Sequence, residues 1–103
     1  MRIRVVESGG FAGLRRERVV ETERLPGPER EVLESLVDAT GFFALPARTP
    51  PSYPDALQYR IRVEIEHRAH EITVDDGSAS EALLGLIARI LEAAGGSPGG
   101  GRG

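Results

Sequence analysis

The sequence contains no cysteine, no lysine and no tryptophan, and only two histidines. Without cysteine, neither a disulfide nor a thiolate metal site can hold the fold, and no redox compartment is implied. The chain has 103 residues, of which 40% are hydrophobic and 28% are charged, and these values are typical of one folded domain. Its stability must therefore come from the packing of a single core.

Long apolar runs are also missing. No stretch approaches the roughly 20 apolar residues that are needed to span a bilayer, and the opening "MRIRVVES" lacks the apolar segment of a secretory signal. The net charge of −3 argues against nucleic acid, because binding to phosphates needs a basic face. We therefore expect no membrane and no nucleic-acid partner, and a cytoplasmic location, with leaderless export left open.

The most regular strand pattern is "LQYRIRVEIE", residues 57–66, in which apolar and polar residues alternate strictly. One face is apolar and the other polar, as in an antiparallel sheet that is covered on one side only. A tight turn near residues 67–69 leads into residues 70–76, where Ile72 and Val74 point inward. These two segments are predicted to form a hairpin.

A second hairpin is predicted at the N-terminus. Residues 2–8 place Ile3 and Val5 on one face and arginines on the other, and residues 14–23 form a charged strand. A short connection that contains glycine, between two such runs, is typical of an antiparallel pair.

The clearest helix lies in "LPGPEREVLESLVDATGFFALP". Gly27 is predicted as its N-cap, Pro28 as its first helical residue, and Gly41 as the residue that ends it. The aromatic residues Phe42 and Phe43 follow at once and are predicted to fasten the helix exit to the sheet, together with Leu45. The apolar stripe of this helix comprises Val32, Leu33, Leu36 and Val37.

A last helix is predicted in "SEALLGLIARILEAA". Ser78 with Glu81 three residues later matches a capping box, which marks a helix start. The "GGSPGGGRG" segment that follows is predicted to be a flexible tail outside the fold. The apolar stripe of the last helix comprises Leu83, Leu86, Ile87, Ile90 and Leu91.

These elements predict an α+β fold with the order ββαββα. A four-stranded antiparallel sheet with both helices packed on one face buries the two helical stripes and the inward strand face together. Residues 1–94 form a single domain in this interpretation, and residues 95–103 form the tail. Residues 46–56, "PARTPPSYPDA", hold four of the seven prolines and should run extended over the surface, as a loop long enough to suggest a function.

The glycine-rich connection "SGGFAG" raises the question of a phosphate site. A phosphate-binding loop needs a helix after its glycines, but here another strand follows, so we reject that interpretation. The glycines suit a wide turn with positive φ angles. Phe11 at the tip of this turn has two open explanations: it inserts into a partner's pocket, or it folds back to brace the loop.

No catalytic machinery is evident. His67 and His70 flank a turn and supply at most two metal ligands, so they are predicted to be solvated turn residues rather than a zinc site. No carboxylate pair lies in an apolar setting, and no serine or threonine has a plausible base beside it. We predict a binding protein that is not an enzyme and has no cofactor and no metal.

Three segments together resemble the emfourin family. These are "MRIRVVESGGFAG" at the N-terminus, "FFALP" before the proline-rich loop, and "QYRIRVEIEHRAHEITVDD" before the last helix. The resemblance covers about residues 1–93, and "SGGFAG" combined with "FFALP" is far more specific than either motif alone. Emfourins are small bacterial proteins described as inhibitors of protealysin and related thermolysin-like zinc metalloproteases.

The resemblance implies a proteinaceous inhibitor whose partner is a thermolysin-like metalloprotease and which is a monomer when free. Such proteases favour a bulky hydrophobic side chain just after the cleaved bond, and Phe11 on its glycine turn suits that preference. Tyr53 in the proline-rich loop is a second candidate contact. The protease-binding residues that we predict are Ser8, Gly9, Gly10, Phe11, Ala12, Gly13 and Tyr53.

An alternative from a different functional class stays open. A small domain with exposed loops and no catalytic residues can also be an interaction or adaptor domain whose partner is not a protease. Neighbourhood of a gene that encodes an H-E-x-x-H metalloprotease would favour the inhibitor.

Overall fold

The computed structural model describes residues 1–9 and 13–94 of the chain. The predicted tail, residues 95–103, lies outside the described residues, as do residues 10–12 of the first turn. Two short 3₁₀ helices, Thr22–Arg24 and Phe42–Ala44, flank the first α-helix. The remaining elements are, in chain order, β1 (Arg2–Gly9), β2 (Leu14–Glu21), α1 (Gly27–Thr40), β3 (Leu57–Ile65), β4 (Arg68–Asp75) and α2 (Glu81–Ala94).

The four strands form one antiparallel sheet in the order β2-β1-β3-β4. The α+β class, the element order and the four-stranded sheet with two helices are thereby confirmed. Ile65 pairs with Arg68, so the turn between β3 and β4 consists of residues 66–67 and lies slightly earlier than predicted. β2 is also shorter than predicted, because a 3₁₀ helix begins at Thr22.

Alternation along the strands sends one face of the sheet into the core. Most of the inward residues that the sequence predicted in β1, β3 and β4 are buried, and Ile61 and Val63 at the centre have no exposed surface. Leu57 and Ile65, at the two ends of the apolar face of β3, are only partly buried. Burial of such side chains contributes roughly 1.5–3 kcal/mol each. The inward strand residues are Ile3, Val5, Tyr59, Ile61, Val63, Ile72 and Val74.

The first helix begins and ends close to the predicted positions. Pro26 is the N-cap and Gly27 the first helical residue, so the helix starts one residue earlier than the prediction of a Gly27 cap. Gly41 ends the helix in the left-handed conformation with φ of 63°, as predicted. Leu33 and Val37 are buried, but Val32 is 40% exposed. Its assignment to the apolar stripe was therefore wrong, because the buried face of this helix is narrower than the stripe.

The second helix starts with a different serine from the one predicted. Ser80 Oγ accepts a hydrogen bond from the Leu83 N–H at 3.1 Å, which is the N-cap contact. Ser78 belongs to the preceding turn, so the predicted capping box with Glu81 was wrong. All five predicted stripe residues of this helix are buried in the core. Both α-helices have 14 residues, and no helix in the described part of the chain is long and apolar enough to cross a membrane.

The "FFALP" segment fastens the exit of α1 to β4, as predicted. Phe42 is 1% exposed and meets the His70 ring edge to face at 5.7 Å. His70 Nε2 also lies 2.7 Å from the Leu45 carbonyl oxygen, so the prediction that His70 is a solvated turn residue was wrong. Arg68 stacks over the Phe43 ring at 4.0 Å, a cation–π contact that covers its open side.

The opposite face of the sheet carries charged side chains. Arg4 and Glu17 pair across β1 and β2 at 2.6 Å, and Arg62 pairs with Glu64 at 2.7 Å. Val6 lies among them and is only 5% exposed, since long neighbouring side chains can shield an apolar residue with their aliphatic stems. This open face is thus a polar surface, as the alternation in β3 predicted.

Candidate functional site

Three connections meet at one end of the sheet, which we call the loop end. Gly9 pairs with both Leu14 and Leu57, and Gln58 pairs with Asp75. The strand ends that flank the first turn, the end of the proline-rich loop (residues 46–56) and the turn after β4 therefore lie at the same end of the sheet. Gly13, which ends the first segment that the sequence singled out for contact, and Pro46, which begins the second, are 33 positions apart in the chain.

The predicted contact residues at the first turn fall into two groups. Ser8 lies in β1 opposite Arg15 and Gln58, while Gly9 and Gly13 flank the tip with φ angles of 87° and 64°. These angles bear out the prediction of glycines with positive φ. The remaining predicted residues of this turn, Gly10, Phe11 and Ala12, lie outside the described residues.

Gly9 also touches the proline-rich loop. A Cβ atom added at Gly9 would stand 3.3 Å from the Ala56 carbonyl oxygen, which is tighter than ordinary van der Waals contact. Ala56 itself is buried, and the preceding Asp55 has a positive φ of 61°. The base of the first turn and the end of the proline-rich loop are thus packed directly against each other.

The proline-rich loop reaches the loop end along the outer edge of β4. Thr73 donates its N–H to the Ala47 carbonyl at 2.9 Å, and Thr49 donates to the Thr73 carbonyl at 3.2 Å. This short parallel pairing holds the start of the loop in an extended path over the surface, as its prolines predicted. It also covers part of the sheet edge at β4, which would otherwise be open to pairing with another chain.

Tyr53 lies at the exposed part of this loop. Its side chain is 47% exposed, and its hydroxyl donates a hydrogen bond to Asp76 Oδ1 at 2.5 Å. That hydrogen bond raises the pKa of the Tyr53 hydroxyl above its ordinary value, because it favours the protonated form. The predicted contact residue is therefore accessible and also held in place.

Asp75, which the sequence reasoning missed, is the polar centre of the loop end. The residue is only 3% exposed, and its Oδ1 accepts hydrogen bonds from the N–H groups of Gly77 and Ser78 at 3.0 and 2.8 Å. Ser52 adds two more, from its Oγ to Oδ1 at 2.9 Å and from its N–H to Oδ2 at 2.5 Å. Hydrogen bonds lower the pKa of Asp75 to about 2 despite its burial. The largest effect is that of the Ser52 N–H, and the Ser52 hydroxyl and the hydroxyl and N–H of Ser78 add to it.

One part of this arrangement had a signal in the sequence. In "DDGS", residues 75–78, an aspartate precedes glycine and serine at the end of a strand, and aspartate in such a position commonly accepts hydrogen bonds from the N–H groups two and three residues later. The contact with Ser52 had no such signal. The two residues are 23 positions apart, and the path of a long loop brings them together.

A second buried carboxylate lies between the sheet and α2. Glu7 is 6% exposed and accepts a hydrogen bond from Arg16 Nε at 2.8 Å. Burial and the neighbouring Glu7 charge raise the pKa of Tyr59 to about 12, so Tyr59 stays protonated at neutral pH.

The described residues contain no group of three or more histidine, cysteine, aspartate or glutamate side chains that could hold a metal ion. The loop end presents an accessible aromatic side chain and a proline-stiffened backbone, held by contacts between separate segments. Such features suit recognition of a partner.

Comparison with known protein families identified a match over most of the chain. A family model described as Emfourin matches residues 5–91, a span that begins within β1, ends within α2 and includes every residue of the loop end. No curated protein and no solved structure matches this chain significantly.

Proposed function

The chain belongs to the emfourin family, a family of metalloprotease inhibitors, and from this premise we propose that it inhibits a thermolysin-like zinc metalloprotease by placing its loop end in the active-site cleft. One observation carries the proposal. The loop end combines three neighbouring connections with Tyr53, the most exposed large hydrophobic side chain of the described residues. Exposed aromatics on a rigid support are typical of binding surfaces.

The two loops have different parts in this mechanism. Phe11 on the glycine turn supplies the bulky hydrophobic side chain that a thermolysin-like protease favours after the cleaved bond. The proline-rich loop supplies a second contact through Tyr53, and its prolines reduce the entropy that binding costs. Only the sequence supports the proposed role of Phe11. The proposed role of Tyr53 is supported both by the sequence and by the exposure of its side chain.

The mode of inhibition is to fill the cleft. Neither residues 8–14 nor residues 46–56 contain a histidine or a cysteine that could ligate the protease's zinc ion. A loop that occupies the substrate groove excludes substrate without contacting the metal, and its backbone can pair with the edge strand that normally holds the substrate.

The direct test is to incubate the whole chain with a thermolysin-like protease and to measure hydrolysis of a small peptide substrate. We expect stoichiometric loss of activity. Phe11→Ala should weaken inhibition by about 2 kcal/mol or more if Phe11 is an anchor, and Tyr53→Ala by about tenfold. Val32→Ala is a suitable control, because Val32 is an exposed apolar side chain on α1.

Each result has a separate meaning. Clean proteolysis of the chain without loss of enzyme activity would refute inhibition of that protease. Unchanged inhibition by Phe11→Ala would leave inhibition intact and remove Phe11 as the anchor.

A further inference from the structure

The proline-rich loop is fastened to the turn after β4 by two neighbouring acidic residues, Asp75 and Asp76. Asp75 holds Ser52 by its backbone N–H and by its hydroxyl, and Asp76 holds the hydroxyl of Tyr53. Ser52 and Tyr53, which share a peptide bond, are thereby both attached to the same turn. We call this set of contacts the latch.

Gly77 is the third part of the latch. A Cβ atom at this position would stand 2.8 Å from Ser52 Cβ, 2.9 Å from Ser52 Oγ and 3.2 Å from Tyr53 Cε1. Distances under 3.0 Å force a shift, and here the obstacle is next to the Ser52 backbone rather than at the end of a flexible chain. The loop can therefore lie against this turn only because residue 77 has no side chain.

The latch restricts what Tyr53 can do. Its hydroxyl is bonded to Asp76 and part of its ring lies beside Gly77, yet 47% of the residue remains exposed. The ring cannot swing outward into a deep pocket without breaking the hydrogen bond. Tyr53 thus offers a partner the open side of a ring whose position is fixed.

We propose that Asp75 is a positioning residue for inhibition, which holds Ser52 and Tyr53 in one preformed conformation that a protease contacts but that keeps Tyr53 out of the pocket after the cleaved bond, so that the bond between Ser52 and Tyr53 is not cut. This inference rests on the proposed function, and it assigns to the loop end a means of surviving contact with its own target.

Binding benefits because the loop is ordered before the partner arrives. A free loop of this length would lose backbone and side-chain entropy on association, and that loss weakens affinity. Here the Ser52 N–H and hydroxyl and the Tyr53 hydroxyl are already engaged. The conformational cost is met during folding, so loosening the loop should weaken inhibition without removing any contact with the protease.

Resistance to hydrolysis follows from the same contacts. Cleavage between Ser52 and Tyr53 requires the Tyr53 side chain to enter the pocket that follows the cleaved bond. The hydrogen bond to Asp76 and the contact beside Gly77 hold the ring against the turn instead.

The backbone around the bond is also a poor substrate strand. Residues 50, 51 and 54 are prolines without an N–H group, and the Ser52 N–H is already donated to Asp75. A protease that binds its substrate by main-chain pairing therefore finds few free donors in this segment.

The most selective variant is Asp75→Asn. The amide keeps the shape of the carboxylate, and its oxygen can still accept the N–H groups of Gly77 and Ser78, where Oδ1 now does. Its nitrogen would then face the Ser52 N–H, so that a donor meets a donor. The variant therefore keeps the hydrogen bonds of the turn after β4 and loses the one that holds the proline-rich loop at the Ser52 N–H. Asp38→Asn, on the exposed side of α1, makes the same change of charge and serves as the control.

Gly77→Ala is an independent second variant, because it displaces Ser52 and Tyr53 by contact and leaves both carboxylates in place. Its matched control is Gly85→Ala, since a Cβ at Gly85 on α2 meets nothing within 4 Å. The two variants break the latch by different physical means. Agreement between them separates an effect of the latch from an effect of charge.

Three readouts are needed: the inhibition constant, amide hydrogen exchange of the free chain, and the positions at which the protease cuts the chain on long incubation. We expect Asp75→Asn and Gly77→Ala to raise the inhibition constant about tenfold. The Ser52 amide should exchange faster while Ile61 in β3 stays protected, and new cleavage should occur between Ser52 and Tyr53. The two control variants should behave as the original chain.

Other outcomes would overturn the inference. If both variants loosen the Ser52 amide but inhibit as well as the original chain, the loop's fixed position is irrelevant, although the inhibitor function stands. If exchange and cleavage increase along the whole chain, the latch has a general structural role only. If the original chain inhibits no thermolysin-like protease, both the proposed function and this inference fail. Faster exchange of the Ser52 amide in the two variants would then show only that the latch orders the loop.

Discussion

The two ends of the sheet are closed in different ways. At the loop end, the proline-rich loop and the turn after β4 meet around one buried carboxylate, Asp75. The opposite end, which we call the turn end, has the two-residue connection 66–67 between β3 and β4. There Thr22 donates its N–H to the Met1 carbonyl and its hydroxyl to Glu34, and exposed pairs such as Arg62 with Glu64 lie nearby.

The difference shows where the conformation depends on specific residues. An exposed ion pair contributes little, because water and salt replace it readily. A buried carboxylate that accepts several hydrogen bonds is harder to replace, since its removal leaves donors without partners. The turn end therefore depends little on its exposed ion pairs, while the loop end needs a buried carboxylate to hold an irregular surface in one shape.

The largest expected effect compares one acidic residue from each end. Asp75→Ala leaves the N–H groups of Ser52 and Gly77 without their acceptor and removes one of the two acceptors of the Ser78 N–H, and we expect it to lower the Tm by roughly 15 °C. Glu64→Ala removes only an exposed pair with Arg62 and should lower the Tm by less than about 3 °C. Thermal unfolding by circular dichroism at neutral pH measures both. Equal losses would contradict the distinction between the two ends.

The next effect compares two glycines within the loop end. Gly9 has φ of 87° and its added Cβ would press on the Ala56 carbonyl at 3.3 Å, whereas Gly13 has φ of 64° and open space around it. Gly9→Ala should therefore lower the Tm by roughly 10 °C and Gly13→Ala by about half as much. The same unfolding experiment measures both variants. A larger loss at Gly13 would show that the contact with Ala56 does not matter.

These features differ in how far the sequence could predict them. The strand pattern of residues 57–66 and the buried stripe of α2 were predicted correctly, because alternation and helical spacing are local properties. The exposure of Val32 and the contact between His70 and Leu45 depend on how α1 and the loop after it pack against other elements. No local pattern records that packing.

The candidate site shows the same division. Positive φ at Gly9 and Gly13 could be predicted, since only glycine adopts such angles freely in a turn. Tyr53 was named as a candidate contact, yet Asp75, the residue that joins its loop to the turn after β4, was overlooked. Its partner Ser52 is 23 positions away, and such a pairing depends on the path of the entire loop.

A smaller effect concerns acid. Because the folded pKa of Asp75 is lowered to about 2 from 3.8, its contribution to stability is complete above about pH 4 and is lost as the pH falls towards 2. Hydrogen bonds from Arg4 and Arg62 also lower the pKa values of Glu17 and Glu64, so part of the acid dependence is independent of Asp75. We expect the Tm of Asp75→Asn to be lower at neutral pH but to fall less steeply between pH 4 and pH 2. An unchanged slope would show that this carboxylate is not the one that titrates.

The smallest effect is expected on inhibition when the turn end is altered. β3 has nine residues and rises about 3.3 Å per residue, so the turn end lies roughly 26 Å from the loop end along the strand. Charges separated by more than about 8 Å are largely screened at physiological ionic strength. Glu64→Gln and His67→Ala should therefore change the inhibition constant by less than about twofold. A tenfold loss from either one would mean that the protease contacts both ends, and the open charged face between them would then belong to the interface.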